Sequence, residues 1–355
     1  MKVSINGICI KGISSCIPKN QLDLKDLSKQ FGELEVERII KSTGIEKIRI
    51  ADEGTCASDL CASAANYLMS ETHLNPNEID GLIFVSETPD YIIPATSVIL
   101  QHKLGLPTSS VVFDINYGCS GYIYGLYLAS LLVSSKSCKN VLLLVGDVIT
   151  PFVNKLDRSL RMILGDAGSA SIISEGDEKF SFHIYSDGSG FQALMIPAGS
   201  ARLPKNDKTS VPIERENGNY RSDEDILMNG LDVFNFAIKE APKSILEVLN
   251  QHGWNKDDVQ LYGLHQPNFL IIDFIRKKLK LQFDVIPVAM HDTGNTGPAS
   301  IPLMLTLEHN NLKEQNRLEK VILCGFGIGL SCASVALSLQ STKITNPIIY
   351  EEGLV

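Results

Sequence analysis

Cys119 stands in the phrase Gly118-Cys119-Ser120-Gly121, after the apolar run Val111 to Ile115 and before a long apolar stretch that starts near Tyr122. The pattern is a strand-to-helix elbow, which exposes the sulfur at the positive end of a helix dipole. A thiolate is favoured there, so the cysteine pKa is expected to fall well below ~8.5 and the sulfur to be a competent nucleophile. Two residues far along the chain are its expected partners. His265 ends the apolar run Val259 to Leu264 in the phrase His-Gln-Pro-Asn, which brings its imidazole out at the carboxyl end of a strand, where sites of α/β proteins collect. Asn295 lies in Asp-Thr-Gly-Asn-Thr-Gly. Alone, that phrase is a turn with a helix cap, and a lone strand-end histidine reads as a satisfied structural group.

The elements that must bring these three residues together repeat themselves. Short Val- and Ile-rich runs alternate with helix-like stretches, the pattern of an α/β fold with buried strands. Asn75-Pro-Asn-Glu-Ile-Asp-Gly-Leu-Ile-Phe-Val-Ser-Glu87 and Asn255-Lys-Asp-Asp-Val-Gln-Leu-Tyr-Gly-Leu-His-Gln266 share one plan of polar turn, strand and site-bearing strand end. Val111 to Gly121 and Val285 to Gly297 each predict a strand, a small-residue turn and an apolar helix, and this pairing sets Cys119 opposite Asn295. Lys139 to Gly146 and Glu319 to Gly327 form a third pair. Three pairs in one order predict two duplicated α/β domains about a pseudo-twofold axis, with a site drawn from both. The expected division is an N-terminal half over 1–178 with the cysteine, a connecting excursion over 179–228, and a C-terminal half over 229–355 with the histidine and asparagine. The excursion contains the polar stretch Ala198 to Asp225, and loops of that length are usually functional or disordered.

Bulk properties narrow the function. With 355 residues, 44% hydrophobic and 21% charged, the chain has the make-up of a soluble globular protein of two domains. No apolar run approaches the ~20 residues of a membrane helix, and Met1 to Gly7 lacks the features of a secretory signal, so no membrane association and a cytoplasmic location are expected. The eight cysteines form no CxxC pair, which argues against a zinc site or disulfide framework. A net charge of −9 disfavours nucleic acid as a partner.

At these residues the sequence resembles the β-ketoacyl-acyl-carrier-protein synthase III family of the thiolase superfamily. The resemblance runs through Ser42 to Ile45, the Cys119 elbow, Asp157-Arg158, Leu164 to Ala170, His265 to Asn268, Gly294 to Thr296 and Gly325-Phe-Gly-Ile-Gly-Leu330. It implies a five-layered αβαβα thiolase-like fold and a Cys-His-Asn site that works without cofactor or metal. Cys119 would accept an acyl group from a thioester. His265 and Asn295 would hydrogen-bond the carbonyl of a malonyl-type thioester as enolate charge develops during decarboxylation. It also implies substrate-binding roles for Thr43, Arg158 and Asn268, an oxyanion-hole segment at Phe326, Gly327, Ile328 and Gly329, and a homodimer across which Ile93 limits acyl-chain length. The partner is an acyl carrier protein or a coenzyme A thioester.

Departures from the family bear on that partner. Ser42 and Arg38 stand where bacterial fatty-acid members carry an Arg and a Trp that hold coenzyme A, and Leu270 replaces a basic residue. Arg276, Lys277, Lys278 and Lys280 offer a replacement docking patch, or simply a solvated face. Glu87 lies where the related HMG-CoA synthases use a Glu as base, but Thr88-Pro-Asp-Tyr91 matches the ordinary synthase III loop, so no catalytic role is expected of it. Alternatives to condensation are transfer of the Cys119-bound acyl group to an amine or hydroxyl on the same scaffold, and a noncatalytic partner subunit of a related synthase.

Overall fold

A computed structural model describes residues 1–215 and 218–352. Its strands are apolar on both faces because each face meets a different core. Along Asn140–Asp147, Val141, Leu143 and Val145 pack into one core, while Leu142 and Leu144 pack into another. Along Val321–Gly327, Val321 and Leu323 join that same first core, and Ile322 and Cys324 face a third. Strands covered on both sides read as continuous apolar runs for this reason.

Ten strands form one continuous sheet. Its main path runs Leu261–Leu264, Val321–Gly327, Ser331–Leu337, Ala167–Ser186, Asn140–Asp147, Gly81–Val85 and Val111–Ile115. Gly81–Val85 is parallel to Asn140–Asp147 as Leu261–Leu264 is parallel to Val321–Gly327, and an antiparallel return follows in each half. This is the expected duplication in three dimensions. Lys2–Ile17 lies antiparallel along Ala167–Ser186, and both long strands serve the two halves: positions 167–174 pair with Asn140–Asp147, and positions 181–186 with Ser331–Ala336. The expected boundary after 178 therefore falls inside a strand. The strand expected from Val285 is irregular instead; it touches the sheet where the Tyr262 amide donates to the Val285 carbonyl at 2.8 Å. Pro287 within it has no amide to give to a ladder.

Helices complete five layers. Gly121–Ser134, apolar nearly all round, and Ser300–Glu314 fill the middle between the two halves of the sheet. Ala57–Thr72 and Thr96–Lys103 cover one outer face, and Gly230–His252 and Phe269–Leu279 the other. Among the described residues no helix is long and apolar enough to cross a membrane, and no group of His, Cys, Asp and Glu is placed to hold a metal. All eight cysteines are free thiols.

Candidate active site

Cys119 occupies the turn between Val111–Ile115 and Gly121–Ser134, with its backbone pressed against the facing half. A methyl group at Gly327 would stand 2.7 Å from the Cys119 Cβ and 2.8 Å from its sulfur, and one at Gly325 would stand 2.8 Å from the Cys119 carbonyl. Only glycines let these two elements close on each other. The contact brings the Ile328 amide to the sulfur, where it and the amide of Cys119 itself favour negative charge. Ser120 and Ser331 share a hydrogen bond of 2.7 Å just behind.

His265 follows the strand Leu261–Leu264, and its amide donates to the Cys324 carbonyl at 2.8 Å. Its Nδ1 meets the Ser300 hydroxyl at 2.6 Å. The Gln266 amide donates to that same oxygen at 3.4 Å; when the Ser300 proton is directed to Nδ1, the neutral imidazole carries its hydrogen on Nε2. Asn295 is fixed by backbone hydrogen bonds to Ile163 and from Gly165, at 2.8 and 3.0 Å. Its Oδ1 accepts from the Gly297 amide at 3.1 Å, so its NH₂ is the group left to act. Cys119, His265 and Asn295 all line one cavity of about 190 Å³, walled by apolar side chains that include Leu160, Val233 and Phe234.

The electrostatics reverse one expectation. Burial raises the Cys119 thiol to about 12, and the negative charges of Glu87 and Asp147 add to it, outweighing the two amides. The helix terminus is there, but the cost of an ion in an enclosed apolar cavity is larger. Burial likewise lowers His265 to about 3. The resting pair is a neutral thiol beside a neutral imidazole.

Of the other expected site residues, Asn268, Phe326, Gly327 and Ile328 line the same cavity. Asn268 also caps Phe269–Leu279 by accepting from the Ile271 amide at 2.9 Å. Thr43 and Arg158 line an adjoining cavity of about 410 Å³ that shares Ile163, Met228 and Gly230 with the first. The Thr43 hydroxyl is committed to its own helix end, donating to the Ile39 carbonyl and accepting from the Ile45 amide. Glu35 stands between the two arginines of this mouth: it takes a two-pronged contact from Arg38, at 2.7 and 3.0 Å, and lies 3.7 Å from Arg158. Gly329 is outside both cavities, and Ile93 is on the exposed surface. In the basic patch, Arg276 and Lys277 both pair with Asp273, and Lys278 donates to the Ile238 carbonyl.

Two carboxyls join the site against expectation. Glu87 and Asp147 line the cavity with Cys119. Asp147 accepts on Oδ1 from the Ser86 hydroxyl at 2.9 Å, the Glu87 amide at 2.8 Å and the Thr88 hydroxyl at 3.3 Å. Among the described residues nothing hydrogen-bonds to the Glu87 carboxylate. Burial, then the charge of Asp147, push Glu87 up to about 8, and burial raises Asp147 to about 7 despite its hydrogen bonds. The family-like loop around Glu87 does not show this, because the effect arises first from enclosure and then from Asp147, at the end of another strand.

Solved structures place the fold among known ones. The chain aligns with a 3-oxoacyl-(acyl-carrier protein) synthase from Burkholderia xenovorans LB400 at TM-score 0.92 and 36% identity, covering 99% of each chain. It aligns with a second solved 3-oxoacyl-(acyl-carrier-protein) synthase III at TM-score 0.88 and 33% identity, covering 93% of this chain and 99% of that one. The protein is a thiolase-fold acyl-condensing enzyme. The profile of 3-Oxoacyl-[acyl-carrier-protein (ACP)] synthase III matches residues 113–188, and that of its C-terminal part matches 249–339. A putative 3-oxoacyl-[acyl-carrier-protein] synthase 3 of Campylobacter jejuni is 34% identical, covering 98% of this chain and 97% of the relative. A beta-ketoacyl-[acyl-carrier-protein] synthase III of Caldanaerobacter subterraneus is 32% identical, covering 92% and 96%. The chain belongs to the 3-oxoacyl-[acyl-carrier-protein] synthase III family.

Proposed function

We propose that this synthase loads an acyl group on Cys119 and condenses it with a malonyl-type thioester, with His265 and Asn295 as the donors that hold the developing enolate. The observation that carries this reading is the meeting of a thiol, an imidazole and an amide NH₂ in one apolar cavity. In acylation sulfur attacks the thioester carbonyl while the amides of Cys119 and Ile328 receive the oxyanion; collapse breaks the donor's carbon–sulfur bond, and the departing carrier thiolate takes up the proton that Cys119 gives up. Loss of carbon dioxide from the malonyl group then supplies the carbanion, so His265 need only donate, as its low basicity fits it to do. Each such donor contributes roughly 10² to 10³ in rate. No metal or organic cofactor enters this chemistry.

The donor is a thioester on an acyl carrier protein in preference to coenzyme A. At the mouth that Thr43 and Arg158 line, Glu35 pairs with both arginines that a nucleotide phosphate would need. The working unit is a homodimer in the cytoplasm, supported by the exposed apolar loop Tyr91-Ile92-Ile93. Intact-mass measurement of wild type and Cys119→Ala with short and medium acyl thioesters, on carrier protein and on coenzyme A, tests the mechanism. An adduct that needs Cys119 and forms faster from the carrier protein is expected; a folded wild type that takes no acyl group refutes it.

A further inference from the structure

Condensation as described leaves one chamber and one carboxyl without a task. A second cavity of about 350 Å³ shares Glu87, Ile149, Ile226 and Ile328 with the cavity of Cys119. Glu87 forms its inner end. Ser200 and Lys205, both exposed, line it too, so it reaches solvent away from the Arg38–Arg158 mouth. Asn116 and Glu224 add polar groups to its wall, and Phe152 and Met195 apolar ones. The cavity of Cys119 is walled mostly by hydrocarbon. This one suits a small molecule that carries hydroxyl or amino groups.

Glu87 lies where such a molecule would meet the acyl group. A methyl at Gly118, the residue before the nucleophile, would stand 2.2 Å from the Glu87 Oε2, and Glu87 is the strongest charge acting on the Cys119 thiol. The groups facing it are Cys119, Asp147 and His265 in one cavity and Lys205 and Glu224 in the other. Cys119 and His265 lose and gain their protons at about 12 and about 3. Between those limits the proton in the Cys119 cavity is held by Glu87 with Asp147.

We propose that the second cavity admits a small hydroxyl- or amine-bearing acceptor and that Glu87 is the general base for its attack on the Cys119 acyl thioester, giving this enzyme an ester- or amide-forming activity beside carbon–carbon condensation. The inference rests on Cys119 carrying the acyl group. The acceptor oxygen or nitrogen bonds to the thioester carbonyl carbon while its proton passes to a Glu87 carboxylate oxygen. The amides of Cys119 and Ile328 hold the oxyanion. Collapse breaks the carbon–sulfur bond, and Glu87 returns the proton to the departing sulfur, which regenerates the thiol. No electrons are exchanged and no carbon dioxide is lost. Malonyl condensation has no need of this base, since decarboxylation makes its own carbanion.

The test uses whole enzyme loaded with a butyryl group on Cys119, freed of excess thioester, and mixed with glycerol or with ethanolamine while adduct and products are followed by mass spectrometry. Wild type should yield glyceryl butyrate or N-butyrylethanolamine, faster from pH 6 to 9 as Glu87 ionises. Per acylated Cys119, Glu87→Gln should transfer about 10²-fold more slowly and lose that pH dependence, and Ser200→Trp should raise the acceptor KM with kcat nearly kept. Equal transfer by wild type and Glu87→Gln overturns the inference. So does a loaded wild type that condenses with malonyl thioester yet gives neither product, and both results leave the role of Cys119 intact. Failure to form any adduct overturns both readings.

Discussion

A neutral thiol beside a neutral imidazole changes how acylation must begin, because no thiolate–imidazolium pair is waiting for substrate. With Cys119 raised to about 12, the thiolate fraction at neutral pH is minute. Alkylation of the free enzyme by iodoacetamide should accordingly be slow at pH 7 and rise about tenfold per pH unit up to pH 9; a rate already level below pH 8 would show that the helix terminus outweighs burial. Glu87 has its own signature in stability. Its folded value of about 8 lies above the ordinary 4.5, so between these pH values the unfolded chain gives up a proton that the folded chain keeps, and stability falls as pH rises through that window. Glu87→Gln has no proton to lose. Its advantage over wild type should be absent near pH 4 and grow to on the order of 4 kcal/mol by pH 8, read from urea unfolding at several pH values; a difference that stays constant across the window would show that Glu87 is ionised in the folded protein.

At the scale of elements, a buried ion pair helps tie the excursion to the N-terminal half. Arg221, 7% exposed, meets Asp157, 1% exposed, and also donates to the Met228 carbonyl and the Ser159 hydroxyl at 3.1 Å each. Removing the guanidinium strands a buried carboxylate, a loss of about 3–5 kcal/mol. Because the partner elements are otherwise intact, the damage should stay local in Arg221→Ala: hydrogen exchange should speed up across 198–225 while the amides of Asn140–Asp147 stay protected, and uniform loss of protection would mean that the excursion is part of the global fold. The other elements explain what was legible in the sequence. Doubly covered strands and the helix Gly121–Ser134 announce themselves by unbroken apolar runs, and the paired phrases reveal the duplication. Cys119 follows from its local elbow, whereas His265 and Asn295 read alone as structural groups and become candidates only through the paired phrases and the family resemblance. Glu87, Asp147 and Ser300 were not legible, because a carboxyl or hydroxyl takes a role only from what the fold puts beside it. The thiol's protonation is hidden from the sequence for the same reason: a helix terminus is written locally, and enclosure is not.

At the scale of the whole molecule, the end of the sheet at Val111–Ile115 is left open among the described residues. This strand ends the main path of the sheet, so among the described residues one row of its backbone groups has no strand beside it, and Val111 is exposed. Ile92 and Ile93, 87% and 83% exposed, project from the loop that follows the neighbouring strand Gly81–Val85. A bare edge strand with apolar side chains nearby invites a second copy, which would continue the sheet and cover the loop. The same strand leads directly into Cys119, so pairing there would stiffen the elbow that holds the sulfur against Gly327. Replacing Ile92 and Ile93 by Asp should shift the protein from dimer to monomer in sedimentation velocity and slow acyl loading of Cys119 by tenfold or more, with far-ultraviolet circular dichroism unchanged. A variant that remains dimeric at micromolar concentration would place the interface elsewhere. One that becomes monomeric yet loads at the wild-type rate would show that the elbow is rigid without its partner.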